Sequence, residues 1–236
     1  MFRNAKRIWT SFYVALMSPV YRIKSQLFLR GAQDVLSGDD LQIDKFRHVP
    51  LSNQVIITAS HYAHVPGHIM EFGVAGGRTI KRLADFWFEK AVVGFDSFEG
   101  LPEDWVKSTG QVMPKKTFAI NGHLPELRGN VHLVKGWFEN SLPAWLQMYG
   151  GHVRFLHMDC DLYTSAKTVL SLLNDRIKPG TVIVFDELYC WNNPLSYEHW
   201  KDGEYKALQE WMKVFGRKVK VLCRNRGWSA AVVVVQ

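Results

Sequence analysis

Two short apolar runs, each ending in a residue type that can meet a ligand, constrain this chain most. The first, Ile69 to Phe72, runs through Glu71 into Gly73-Val74-Ala75-Gly76-Gly77, and the second, Val92-Val93-Gly94-Phe95, ends at Asp96. The two lie about 20 residues apart, the spacing at which a second strand of an α/β sheet delivers an acid to a bound nucleoside. Ile69 to Phe72 suits a buried parallel strand. Gly73 and Gly77 let the backbone turn sharply and approach a ligand with no Cβ in the way. From Thr79 to Phe88 the apolar positions Ile80, Leu83, Ala84, Trp87 and Phe88 recur at helical spacing. One face of that helix can therefore pack on the sheet while its N-terminus points free amides at the ligand. Asp96 then stands at a strand end, placed to accept hydrogen bonds from two ribose hydroxyls. A turn that merely contains glycine is the competing reading of the first run, and the acid at the expected distance weighs against it.

The glycines do not form the dinucleotide fingerprint. Gly73-Val74-Ala75-Gly76-Gly77-Arg78 lacks the G-x-G-x-x-G spacing and offers no dedicated pyrophosphate cradle, so a nucleoside without a diphosphate fits better. Further strands are expected at Val131 to Val134, Val153 to Met158 and Thr181 to Phe185, with a closing pair at Val219 to Cys223 and Ala230 to Val235. Helices lie between them, one with Ala166, Val169, Leu170 and Leu173 inward, another with Ala207, Leu208, Trp211, Met212 and Phe215 and a stop at Gly216. This alternation predicts an α/β, Rossmann-like fold: a seven-stranded, mostly parallel sheet with an antiparallel last strand and helices on both faces. The segment from Gly100 to Gly129, rich in Gly, Pro and Lys, exceeds an ordinary connection and reads as a substrate-facing or lid element.

Of 236 residues, 47% are hydrophobic, enough for one large domain, expected over residues 61–236, plus an N-terminal basic and helical appendage over 1–60. Cys160, Cys190 and Cys223 form no C-x-x-C pair, which points to neither a zinc knuckle nor a redox dithiol and fits a reducing cytoplasm. The formal net charge of +7 reads as a spread over solvated faces, with no nucleic-acid partner expected. At the N-terminus Arg3, Lys6 and Arg7 precede an apolar run from Ile8 to Met17, and Arg22, Lys24 and Arg30 follow. That run is too short to span a bilayer and shows no clear cleavage site. It reads either as a helix packed on the domain or on a second subunit, which keeps a homo-oligomer open, or as a peripheral membrane contact.

The chemistry is expected where the fourth and fifth strands end, at Asp159-Cys160-Asp161 and at Asp186-Glu187. If the two strands are neighbours, about 4.8 Å apart, Asp159, Asp186 and Glu187 converge on one small volume. Clustered carboxylates need a cation or a proton, and hard oxygens without Cys or His partners favour Mg²⁺ over zinc. Asp161, just before Thr164 and Ser165, reads instead as a helix cap. His61, His64 and His68 lie before the first strand and read as surface or capping residues that could also reach an acceptor.

Four ordered strings carry a resemblance: Phe95-Asp96-Ser97-Phe98-Glu99-Gly100-Leu101-Pro102-Glu103, Lys135-Gly136-Trp137-Phe138-Glu139-Asn140-Ser141-Leu142-Pro143, His157-Met158-Asp159-Cys160-Asp161-Leu162-Tyr163, and Phe185-Asp186-Glu187. With Glu71-x-Gly73 and Gly77 they resemble the macrocin O-methyltransferase family, metal-dependent class I S-adenosylmethionine methyltransferases, over roughly Glu71 to Phe215. The resemblance implies S-adenosylmethionine and Mg²⁺ as cofactors and a sugar or glycosylated small molecule as the hydroxyl acceptor. It makes Asp159 both metal ligand and catalytic base, with Asp186 and Glu187 completing the metal site. It also implies a cofactor-binding set of Glu71, Gly73, Val74, Gly77, Thr79, Asp96, Ser97, Gly136, Trp137 and Asp159, with Asp96 at the ribose and Trp137 at the adenine. Two departures, Leu188 after Asp186-Glu187 and a long segment from Tyr189 to Gly203, bear on the acceptor pocket. Another acceptor class, a polyphenol or RNA, and a non-catalytic nucleoside-binding protein remain the alternatives. No Asn-Pro-Pro-Tyr-like motif follows the fourth strand, which disfavours base chemistry.

Overall fold

The computed structural model describes residues 52–106, 111–188, 200–225 and 228–236. Its elements are α1 (Ser52–Ser60), β1 (His68–Phe72), α2 (Arg78–Phe86), β2 (Val92–Asp96), β3 (Trp105–Val106), β4 (Val112–Met113), β5 (Val131–Lys135), α3 (Phe138–Met148), β6 (Val153–Met158), α4 (Tyr163–Leu173), β7 (Val182–Phe185), α5 (Glu204–Phe215), β8 (Val219–Arg224) and β9 (Ala230–Val234). Seven strands form one sheet in the order β5-β2-β1-β6-β7-β9-β8. β9, the last in the chain, runs antiparallel to both β7 and β8, and the other pairings are parallel. The expected α/β architecture is therefore the observed one.

Each face of the sheet carries its own core, because side chains alternate along a strand. On one side Met70, Phe72, Leu156 and Phe185 pack with Leu142 of α3, Leu170 of α4 and Leu208 of α5. On the other, Ile69, Phe155 and Val184 pack with Ile80 and Leu83 of α2 and with Val55, Ile56 and Ala59 of α1. Helix α1 thus packs as part of this unit, within the stretch read from sequence as appendage; the basic apolar run itself lies outside the described residues. Among the described residues no helix is long and apolar enough to cross a membrane.

The strand ends are fastened one to the next, and this positions everything that follows. Gly73 N–H donates to Phe95 O, Asp159 N–H to Phe72 O, Asp186 N–H to Met158 O, and Gly136 N–H to Asp96 O, at 2.9–3.0 Å. The strand order reverses between β1 and β6. Their following loops leave in opposite directions there and open a crevice at the carboxyl ends, the place where open α/β sheets bind ligands. Gly73 has φ +90, and a Cβ on it would stand 1.7 Å from Asp159 O, so only glycine lets the loop after β1 lie against the acid-bearing loop after β6.

One local expectation is corrected. Leu162, not Asp161, is the N-cap residue of α4, and Asp161 takes φ +62 and lines the crevice. The long segment after β2 also carries two short strands. Trp105 and Val106 pair with Met113 and Val112 in a small hairpin, which Leu101, Trp105 and Leu162 seat on the start of α4.

Candidate active site

The crevice is a cavity of about 930 Å³, within the range of small-molecule sites. Of the residues expected from sequence, Gly73, Val74, Thr79, Asp96, Ser97, Trp137, Asp159, Asp186 and Glu187 line it. Glu71, Gly77 and Gly136 do not line it. Gly77 is the N-cap of α2 at φ +79, where a Cβ would press on Leu127 at 2.7 Å. Glu71 lies fully buried beneath the loop. The three N-terminal histidines stand at the opposite, amino end of β1: His68 begins the strand and bonds Gly150 O, and none of them reaches the crevice. His61 is pushed down to about 4, first by burial and then by His64. Sequence reasoning had not singled out Arg78, Trp105, Phe118, Phe138 or Trp228, which also line the crevice.

Asp96 occupies the expected place but with partners of its own. Its Oδ2 accepts the N–H groups of Val74 and Ala75, both at 2.7 Å, and its Oδ1 accepts Phe98 N–H at 2.6 Å. The carboxylate therefore ties the loop after β1 to the loop after β2, and hydrogen bonds to an ionised acceptor are the strong kind. Ser97 Oγ accepts Glu99 N–H at 3.1 Å and steadies the same turn.

On the other half of the crevice, oxygens of Asp159, Asp186 and Glu187 lie within 4.8 Å of one another. Burial first, then Asp186, holds the Asp159 carboxyl well above the usual carboxylate range, and burial with Asp161 and Asp186 does the same to Glu187. Like charges in a poorly solvated place favour the neutral form unless a cation joins them. Asp186 is held by its side chain, and Glu187 through its main chain. Ser229 Oγ donates to Asp186 Oδ1 at 2.7 Å. Thr79 Oγ1 lies 3.5 Å from Asp159 Oδ2 and donates to Glu71 Oε1 at 2.8 Å. Glu187 N–H donates to Oε2 of Glu204 at 3.1 Å.

Beneath Thr79 is a buried ion pair. Glu71 and His157 are register partners on β1 and β6, and His157 Nδ1–H meets Glu71 Oε2 at 3.0 Å with both side chains fully buried. Burial alone would lower the imidazole, but the hydrogen bond and charge of Glu71 outweigh it and push His157 up to about 9. The carboxylate of Glu71 thus favours the charged form of the imidazole next to it.

A glycine turn and a strand-end acid on one side of a switch point face a convergent set of carboxylates on the other, the arrangement of a ligand crevice in an open α/β sheet. The comparisons carry this further. The family model of macrocin-O-methyltransferase (TylF) matches residues 51–204. Among solved structures the chain is similar to the calicheamicin methyltransferase CalS11, at 23% identity over 77% of each chain with a TM-score of 0.60. It is also similar to the O-methyltransferase NovP, at 20% identity over 78% of each chain with a TM-score of 0.58. No curated protein matches. The chain belongs to the macrocin-O-methyltransferase family and is an S-adenosylmethionine-dependent O-methyltransferase.

Proposed function

We propose that the enzyme methylates a hydroxyl of a sugar or glycosylated small molecule, and that Asp159, Asp186 and Glu187 hold a Mg²⁺ ion for this reaction. The acceptor class is supported by the family description and by a related solved structure described as a TDP-rhamnose 3'-O-methyltransferase. The observation that carries the metal reading is the meeting of three carboxylates at the ends of neighbouring strands. The donor set fits the ion. All three ligands are hard oxygens, as Mg²⁺ requires, and Glu187 Oε2 is buried without a hydrogen-bond partner, an arrangement that is costly unless something else satisfies it.

The division of labour follows from the two halves of the crevice. Val74, Asp96, Ser97, Trp137 and Asp159 all line the crevice, and this reading gives the first four to the methyl donor and Asp159 to the reacting hydroxyl. A sugar hydroxyl holds its proton too tightly to attack unaided at neutral pH. The cation, when bound, supplies Lewis acidity that lowers such a pKa. In this reading Asp159 takes the proton, and the crevice walls hold the hydroxyl for in-line attack on the methyl carbon. As the C–O bond forms and the C–S bond breaks, the sulfonium becomes a neutral thioether and the proton leaves with the base. A labelled-methyl screen over glycosides and free sugars tests the acceptor class. Methylation confined to polyphenols or RNA would refute it. Asp159→Ala is expected to abolish turnover while S-adenosylmethionine still binds by titration calorimetry. Wild-type turnover persisting in excess chelator would refute the metal reading.

A further inference from the structure

Glu204 is the first residue of α5, follows the N-cap Gly203, and is completely buried. An acid there suits the positive end of a helix, and that alone explains its position in the chain. It does not explain where the two oxygens go. Oε2 accepts the main-chain N–H of Glu187 at 3.1 Å, and Oε1 accepts the thiol of Cys160 at 3.7 Å. Cys160 follows Asp159, so Glu204 touches both acid-bearing loops one residue from, or at, a proposed metal ligand.

The position matters because of what happens to the sheet there. The ladder between β6 and β7 ends with Asp186 N–H donating to Met158 O at 2.9 Å. Beyond that bond the chains diverge into separate loops, and the spacing of Asp159 from Glu187 is no longer set by strand pairing. Glu204 spans the gap from outside. We infer that Glu204 is a positioning residue that fastens the Cys160 and Glu187 segments together and so sets the separation of the carboxylates that take the divalent ion. This rests on the metal reading above.

The hydrogen-bond roles determine which replacements should work. Glutamine can keep the Glu187 N–H with its carbonyl oxygen and offer its amide to the Cys160 sulfur. Leucine leaves that N–H buried and unpartnered, a state proteins avoid. Aspartate, one methylene shorter, cannot reach both loops. The test is Mn²⁺ affinity of the full chain, followed by the electron paramagnetic resonance signal of free Mn²⁺, with S-adenosylmethionine affinity measured alongside. Glu204→Leu and Glu204→Asp are expected to weaken Mn²⁺ binding about 10–100-fold, as loss of outer partners of metal ligands does. Glu204→Gln is expected to restore most of the affinity, and donor affinity should stay unchanged in all three. A general loosening of the fold would weaken both ligands together and would overturn the inference, as would Mn²⁺ affinity in Glu204→Asp equal to that of wild type. If the leucine variant does not fold, the aspartate and glutamine pair decides. Wild type that binds no Mn²⁺ would sink the metal reading and this one with it, whereas a wild type that binds and variants that bind equally well would sink only the role of Glu204.

Discussion

The buried pair beneath the glycine loop makes a quantitative prediction through Glu71→Gln. Glutamine keeps the shape and can still accept the Nδ1–H of His157, so the change removes the charge and turns the oxygen that accepts the Thr79 hydroxyl into an amide donor, to which that hydroxyl can rotate as acceptor. A rise of the imidazole from 6.5 to about 9 corresponds to roughly 3 kcal/mol at about 1.4 kcal/mol per pH unit. Breaking one partner of a buried pair typically costs about 3–5 kcal/mol, which agrees. For a chain of this size about 3 kcal/mol is a melting shift of roughly 6–12 °C.

The pH dependence separates this account from simple damage to the core. Because the folded pKa of His157 is raised, its contribution is fully present below the unfolded value of 6.5 and is lost as pH rises through about 9. The gap between wild type and Glu71→Gln should therefore be widest at and below pH 6.5 and close toward pH 9.5. In the variant, burial dominates, the imidazole resists protonation, and stability falls on acidification instead. Thermal melts by circular dichroism across this range, with chelator present, measure both curves. Parallel curves would refute the reasoning, since they would mean that His157 carries no extra proton in the folded protein.

Other outcomes follow from the same geometry. Asp96→Asn turns part of a three-amide acceptor into a donor that opposes a main-chain N–H, so a loss of about 1–3 kcal/mol and weaker S-adenosylmethionine binding are expected; an unchanged melt would show that those amides are not held by Asp96. Gly73→Ala puts a methyl group 1.7 Å from Asp159 O and should lower donor affinity and turnover together, with calorimetry and a methyl-transfer assay as the two readings. Mg²⁺ should raise the melting temperature more at pH 8 than at pH 5.5. Burial keeps protons on Asp159 and Glu187 above the usual carboxylate range, their neutral-form stability is lost as pH rises past those raised values, and the cation replaces it while competing with protons. Equal increments at both pH values would count against a cation at these acids.

Much of the fold was legible because its signals are periodic and local. The strand from Val153 to Met158 has the bounds the apolar run implied, and Ala166, Val169, Leu170 and Leu173 are the buried positions of α4. Helix α3 was not read as a helix. It carries Pro143 inside, a residue that ordinarily argues against a helix interior, and its burial of Leu142 and Trp145 compensates. Helix α1 falls inside the 1–60 stretch that the basic terminus marks in the sequence, and it packs on β7, β8 and β9. The neighbours of the acids were illegible for a different reason. Ser229 reaches Asp186 because β9 inserts antiparallel between β7 and β8, which brings the β8–β9 connection to the end of β7. No spacing along the chain encodes that.

Asp96 shows most clearly how a correct position can hide more than one demand. An acid at the end of β2 was read as a ribose acceptor, since it lies at the carboxyl end of a strand beside a glycine turn. In the structure the same carboxylate satisfies three main-chain N–H groups that the turn leaves without partners. Oδ2 takes two amides, and Oδ1 takes one and keeps a lone pair free for a ligand. The glycine turn therefore needs the acid to hold its shape before any nucleoside arrives, and a ribose hydroxyl would share the carboxylate with that task. A variant that lost donor affinity while keeping its melting temperature would locate the function of Asp96 at the ligand alone; loss of both is what a carboxylate serving the loop and the ligand together must produce.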